Sequence, residues 1–134
     1  MNIPSDLKYS KSHEWVRVEG SAATVGVTDF AQHELGDVVY VELPAPGTKV
    51  EAGQAFGTVE SVKSVSEIFS PVSGELVEVN AALSDHPESI NQDAHGAAWL
   101  ARIRASNAKS ELATLMDAAA YEAYIAEQQK EASA

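Results

Sequence analysis

No cysteine occurs anywhere in the 134 residues. That removes structural disulfides, thiolate zinc sites and a thiol nucleophile together. No run approaches the roughly 18 apolar residues needed to cross a bilayer. The segment from Met1 to Asp6 has neither the apolar core of a secretory signal nor an Arg-rich transit pattern, so the expected compartment is the one of synthesis, a bacterial cytoplasm. Cations are scarce as well. Nine Lys and Arg face 20 Asp and Glu, a net charge of −11, which argues against nucleic acid and anionic membranes as partners, since both require basic patches. Between Thr28 and Ala101 the only Lys or Arg residues are Lys49 and Lys63, against twelve carboxylates. Such a body is either steered towards basic docking surfaces, an attraction that weakens with salt, or simply kept soluble by its charge.

What is present is the composition of a folded globule, 45% hydrophobic and 22% charged. The length suits one domain over residues 1–134, with a core at about 7–104 and a helical tail at about 110–130. Short strands dominate. His13 to Glu19 alternates, with Trp15 and Arg17 on one face and Val16 and Val18 on the other, and Ala23 to Val27 returns after a turn at Glu19-Gly20-Ser21. Asp29 as an acidic cap, Gln32 three residues on and Gly36 as a stop predict a short helix. Asp37 to Leu43 reads as a strand ended by Pro44-Ala-Pro-Gly47, Ala81 to Asp85 as one helical turn, and Ala98 to Arg104 as a closing strand. In the tail, Leu112, Leu115 and Met116, then Tyr121, Tyr124 and Ile125, recur at helical spacing. Ser110 and Asp117 are candidate caps for two short helices, with fraying after Gln128. The pattern predicts an all-β body with a helical tail.

One residue stands apart. Lys63 lies between two β-prone runs, Thr58 to Val62 and Val65 to Phe69, with Pro71 and Gly74 beyond. Gly53 and Gly74 bracket it ten residues before and eleven after. The two arms are therefore expected to pair, leaving Lys63 at the tip of a tight turn with its side chain in solvent. A catalytic lysine is usually buried, where the charged form is disfavoured. A turn lysine beside Ser64 and Ser66 has the opposite setting, suited to being modified. No nucleophile–base pair or phosphate loop supports an enzyme reading. His13, His33, His86 and His95 are scattered without metal-ligand spacing, so no metal site is expected.

The run around this lysine resembles the lipoyl-attachment site of the glycine cleavage system H-protein family. Glu60-Ser61-Val62-Lys63-Ser64 followed by Ser70-Pro71-Val72-Ser73-Gly74-Glu75 is similar to that family's Glu-Ser-Val-Lys and Ser-Pro-x-Ser-Gly-Glu. The likeness extends upstream through Lys8-Tyr9, His13-Glu14-Trp15-Val16 and Val25 to Ala31. It extends downstream through Val77 to Asn80, Asn91-Gln92-Asp93 and Gly96 to Leu100, with Tyr121-Glu122-Ala123 in the terminal helix. It implies a mainly β fold, a lipoyl-domain-like flattened barrel or sandwich of two antiparallel sheets with short helices and a C-terminal helix. It implies a carrier rather than an enzyme, monomeric, with lipoate covalently attached to Lys63 and Glu60, Ser61, Val62, Ser64 and Glu67 as the recognition context. The implied partners are a pyridoxal-phosphate glycine decarboxylase, a tetrahydrofolate-dependent aminomethyltransferase, a dihydrolipoamide dehydrogenase and lipoate-attaching enzymes. The aminomethyl group of glycine would travel on the arm, which would fold into a cleft lined at the matching positions by Ser12, Glu14 and Glu67.

Several features bear on that resemblance. The absence of cysteine suits a protein carrying a dithiolane, because a native thiol could exchange with it. Glu14 is either the partner of an ammonium on the arm, by a charge-assisted hydrogen bond, or an outward residue on an alternating strand. Glu67 stands where the family often has aspartate, and Ala94 and His95 replace the usual proline and tyrosine, a departure expected to bear on a partner-facing loop. Biotin carriers are similar to Met-Lys-Met at the turn, which this chain lacks. Lipoyl domains of 2-oxo acid dehydrogenases belong to long chains with Pro/Ala linkers. An H-like protein that only relays lipoyl groups needs the same lysine and stays open.

Overall fold

The structure is a computed structural model that describes residues 2–133, with side chains to residue 130. Strands β1 (Lys8–Tyr9), β2 (Glu14–Glu19) and β3 (Ala22–Val27) are joined in sequence, β2 and β3 through a turn whose Gly20 has φ +64°, a conformation glycine adopts without steric cost. With β5 (Lys49–Val50), β8 (Gly74–Val79) and β9 (Ala101–Ala105) they form a six-stranded sheet in the order β1-β2-β3-β9-β8-β5. A second sheet has three strands, β4 (Val38–Glu42), β6 (Ala55–Ser61) and β7 (Val65–Phe69), in the order β4-β6-β7. All pairings are antiparallel. The mainly β architecture with short helices and a C-terminal helix is the one implied above.

The two sheets share a core that includes Val16, Val25, Val59, Ile68, Leu76 and Ile103. A second cluster, Leu7, Tyr9, Trp15, Phe30, Tyr121 and Ile125, covers the other face of β2. Burial from both sides is why Glu14, Trp15 and Val16 are all buried, although the strand alternates. Trp15 faces Gly26 across the β2–β3 pair, and a Cβ there would lie 2.6 Å from the indole. Glycine is the residue that makes room for the ring, whose Nε1 donates to the Ala94 carbonyl at 3.0 Å.

The carrier half pairs as the sequence predicts. Val50 faces Gly74, Ala55 faces Phe69 and Glu60 faces Val65, so the arms close symmetrically on Val62 and Lys63. Each arm also crosses from the large sheet to the small one, β5 into β6 and β7 into β8, which ties the hairpin to both layers.

The helices differ from expectation in detail. In α1 (Asp29–Leu35) the cap is Thr28, whose side chain accepts from Ala31 N, while Asp29 sits inside the first turn. Thr28 has the extended backbone a cap needs and offers its hydroxyl at the right distance. Helix α2 (Ala82–Asp85) lies where the sequence places it, and α3 (Ser89–Gln92) adds a turn the apolar pattern is too short to reveal. Strand β9 starts at Ala101 rather than Ala98. Ser110 lies within α4 (Ala108–Leu112), which follows Asn107 instead. Asp117 does cap α5 (Ala118–Ser133), accepting from Ala120 N, but the helix continues past Gln128 instead of fraying there.

Helix α5 is anchored to the sheets by Tyr121, with Ile125 and Tyr124 beside it. The Tyr121 ring stacks on Tyr9 with centroids 4.5 Å apart, and its hydroxyl hydrogen-bonds Thr28 Oγ1 at 2.6 Å and His13 Nδ1 at 2.9 Å. Tyr121→Phe keeps the stacking and removes both of these hydrogen bonds. It is expected to cost about 1–2 kcal/mol in urea denaturation, and an unchanged midpoint would show that α5 is not anchored through this hydroxyl.

Candidate functional site

The turn between β6 and β7 is built by Ser61. Its amide donates to the Ser64 carbonyl at 2.8 Å, and its buried hydroxyl accepts from Ser64 N at 3.1 Å and Lys63 N at 3.4 Å. Val62, Lys63 and Ser64 are left exposed. The tip rests on the junction of α1 and β4: Val62 N donates to the Asp37 carbonyl at 3.1 Å. Gly36, at φ +76°, lies under the lysine stem, and a Cβ on it would be 3.4 Å from Lys63 Cε and 3.9 Å from Nζ. That junction is itself braced by Asn91 of α3, which donates to the Gly36 carbonyl and accepts from Val38 N. Gly36 and Asn91 thus support the lysine from segments remote in sequence. The first reads as a helix stop and the second only as part of the Asn91-Gln92-Asp93 motif, which hides this role.

Beside the tip runs a cleft of about 810 Å³. One wall is β7, the edge strand of the small sheet, from Ser64 to Ile68. The others come from Ser12, His13 and Glu14, from Val27, from Phe30, Ala31, Glu34 and Leu35, and from Gln128 and Gln129 of α5. Antiparallel strands direct alternate residues' backbone groups towards opposite neighbours. Ser64 pairs with Ser61 in the turn, so Val65, Glu67 and Phe69 turn their amides to the free edge. The Phe69 amide is taken by Glu14 Oε2 at 3.1 Å.

Glu14 is therefore no outward strand residue. It is 1% exposed, and its other oxygen accepts from Ser10 Oγ at 2.6 Å and Ser12 Oγ at 2.5 Å. Burial pushes its carboxyl above the ordinary range, against the opposing pull of those hydrogen bonds. His13 sits beside it with φ +72°, its imidazole pKa lowered chiefly by burial. Among the described residues no Lys or Arg lines the cleft, whereas three carboxylates do, Glu14, Glu34 and Glu67, among apolar walls from Val27, Phe30, Leu35 and Ile68.

The structure thus brings Ser12, Glu14 and Glu67 to one cleft next to Lys63. Glu60 lies elsewhere, on the outer face of the small sheet opposite Tyr40 and Val65. Sequence reading missed Glu34 and the two glutamines of α5, because only the tertiary fold carries them to β7. Ala94 and His95 are buried and not partner-facing as expected: His95 Nε2 accepts from Asp29 N at 3.2 Å and its ring tilts on Trp15.

A family model described as glycine cleavage H-protein matches residues 7–128. A glycine cleavage system H protein from Anaeromyxobacter sp. (strain K) is 56% identical over 129 residues, covering 96% of this chain and 100% of that relative. One from Rubrobacter xylanophilus is 61% identical over 104 residues, covering 78% of this chain and 82% of its own length. Among solved structures, the crystal structure of a glycine cleavage system H protein from Mycobacterium marinum superposes with TM-score 0.82 at 37% identity, covering 95% of this chain and 99% of that one.

The buried carboxylate carries a stability signature. A raised folded-state pKa means that Glu14's contribution is fully present below the ordinary carboxylate range and is lost as pH rises through the raised value. Glu14→Gln can keep all three partners, its oxygen accepting from Phe69 N and its amide donating to Ser10 and Ser12. The melting temperature of Glu14→Gln relative to wild type is expected to be more favourable at pH 8 than at pH 4. A difference that does not change with pH would contradict a desolvated Glu14.

Proposed function

The chain belongs to the glycine cleavage H-protein family, and from that premise we propose that Lys63 is the residue on which this lipoyl carrier of the glycine cleavage system is loaded. The observation that carries the reading is an exposed lysine at a braced hairpin tip, directly beside a cleft with apolar walls and an anionic lining. The residues fit the group. Phe30, Leu35 and Ile68 would take the hydrocarbon part of an arm attached at Nζ, and Glu14 and Glu67 would take a terminal ammonium. Attached as an amide, the lipoyl group supplies a disulfide that takes up the aminomethyl unit left when glycine is decarboxylated.

The hard chemistry belongs to the partners: the pyridoxal-phosphate decarboxylase, the tetrahydrofolate-dependent aminomethyltransferase and the dihydrolipoamide dehydrogenase of the system. The carrier is not catalytic. Its Ser61 turn and the Gly36–Asn91 brace fix where the arm starts. Its cleft would hold the free end, with Glu14 fixed by Ser10, Ser12 and the Phe69 amide so that little reorganises when a cation arrives. Ser12 positions that carboxylate, and Glu67, at the rim, offers a second acceptor. No helix among the described residues is long and apolar enough to cross a membrane. The bacterial sources of the relatives support placing the carrier in a bacterial cytoplasm.

The test is peptide mapping after lipoylation in vitro, followed by decarboxylase-dependent exchange of bicarbonate into glycine. The lipoyl mass increment is expected on Lys63 and on none of Lys8, Lys11, Lys49, Lys109 or Lys130. Lys63→Arg should abolish the exchange while leaving the melting temperature within about 2 °C, because the side chain is exposed and an exposed substitution shifts stability by less than about 0.5 kcal/mol. Substantial label on another lysine, or exchange by Lys63→Arg, would overturn the assignment.

A further inference from the structure

Four of the five large exposed hydrophobic residues surround the hairpin tip: Val39 (48%), Tyr40 (51%), Val62 (70%) and Val65 (62%). They are not scattered. Tyr40, Glu60 and Val65 lie side by side across β4, β6 and β7, and directly opposite residues share a face. A register shift between Val38 and Tyr40 leaves an extra residue in β4, which lets Val39 and Tyr40 both face outward. The next row along the same face is Glu42, Thr58 and Glu67. None of its three carboxylates, Glu42, Glu60 or Glu67, takes part in an ion pair among the described residues. The outer face of the small sheet is thus an apolar strip inside an acidic rim, ending at Lys63.

We propose that this face is the docking surface for the enzyme that acylates Lys63, a protein presenting an apolar patch rimmed by Lys and Arg. The proposal rests on the carrier reading above and names the partner that uses this side of the hairpin. The choice follows from reach. A loaded arm, once out of the cleft, can deliver its cargo at a distance from the domain, so later partners need not touch the outer sheet face. Acylation of the bare amine allows no such distance, because the reacting atoms must come within about 3–3.5 Å. In that step neutral Nζ attacks the carbonyl carbon of lipoyl-adenylate. The C–N amide bond forms, the C–O bond to phosphate breaks with its electron pair leaving on AMP, and the nitrogen releases its proton to solvent. An enzyme holding that phosphate-bearing donor needs cations beside its site, and these complement Glu42, Glu60 and Glu67. Val39, Tyr40, Val62 and Glu60 do not line the arm cleft, so the two surfaces separate experimentally.

The experiment measures transfer of lipoate to the apo-protein by a purified lipoate–protein ligase with lipoic acid and ATP, over a range of salt. The double variant Val39→Ser/Tyr40→Ser is expected to lose about tenfold or more in kcat/KM, the scale of removing a central apolar anchor. Val77→Ser, an exposed apolar position on the other sheet, should match wild type. Wild-type rates should fall as salt rises, and Glu42→Gln/Glu60→Gln should flatten that dependence. A second readout guards against misfolding: the double variant's melting temperature should stay within about 2 °C of wild type, the sites being exposed, and if it does not, Tyr40→Thr alone is compared instead. Equal acylation of wild type and the folded Tyr40 variant overturns this proposal, whether or not later steps change. If wild type itself takes no lipoyl group on Lys63, the carrier assignment falls first and this surface with it.

Discussion

The side chain of Glu14 ties the edge of the small sheet to the large one at the cleft. β2 belongs to the six-stranded sheet and β7 is the free edge of the three-stranded one, yet a single carboxylate bridges them by accepting the Phe69 amide on one oxygen and two serine hydroxyls on the other. A free strand edge is a row of unpaired donors and acceptors, open to pairing with another chain. Here the edge is closed at Phe69 and left open at Val65 and Glu67, and that opening is the cleft. Burying a carboxylate is unfavourable unless its lone pairs are occupied, so the Ser10 and Ser12 bonds are the condition for keeping it. The same arrangement leaves an acceptor that favours a cation with little reorganisation.

The second constraint is that a covalent arm needs a fixed origin and a free end. The origin is fixed by a relay of short contacts, Asn91 to Gly36 and Val38, Asp37 to Val62, and Ser61 to Ser64, none of which involves the lysine's own amine. The cleft beside that origin is lined by side chains from the two extremes of the described chain, Ser12 and Gln128 among them. Helix α5 therefore does more than cover Tyr9 and Trp15, because it also walls the cleft. Its attachment through Tyr121 to Thr28 and His13 couples that wall to the start of α1 and to the strand that bears Glu14.

The hairpin was the most legible part of the sequence, since its arms are symmetric about Lys63 and its β-branched residues agree with that pairing. Local signals failed where a nearby residue competed. Thr28 and Asp29 both offer a cap, and only Thr28 has the extended backbone from which a side chain reaches Ala31 N. Glu14 was left between two readings because strand alternation says which residues share a face but not that both faces are covered. Trp15 is buried on the far face by the cluster that includes Phe30, Tyr121 and Ile125, while Glu14 shares the inner face with Val16 and meets Phe69 of the small sheet. The outward turn of Val39 was hidden for a related reason, since a bulge depends on the partner strand's register and leaves no mark in its own composition. Ala94 and His95, which looked like surface substitutions, are internal fittings for Trp15 and α1.

The central claim is that the cleft beside Lys63 shelters the charged end of the arm through Glu14. The most direct measurement is the rate at which ammonia escapes from carrier charged by glycine and the decarboxylase, with the aminomethyltransferase omitted. Glu14→Gln, which keeps the hydrogen-bonding shape and removes the charge, should release ammonia several-fold faster than wild type while accepting lipoate at the same rate. Equal release from the two proteins would show that the carboxylate holds β2 to β7 and nothing more.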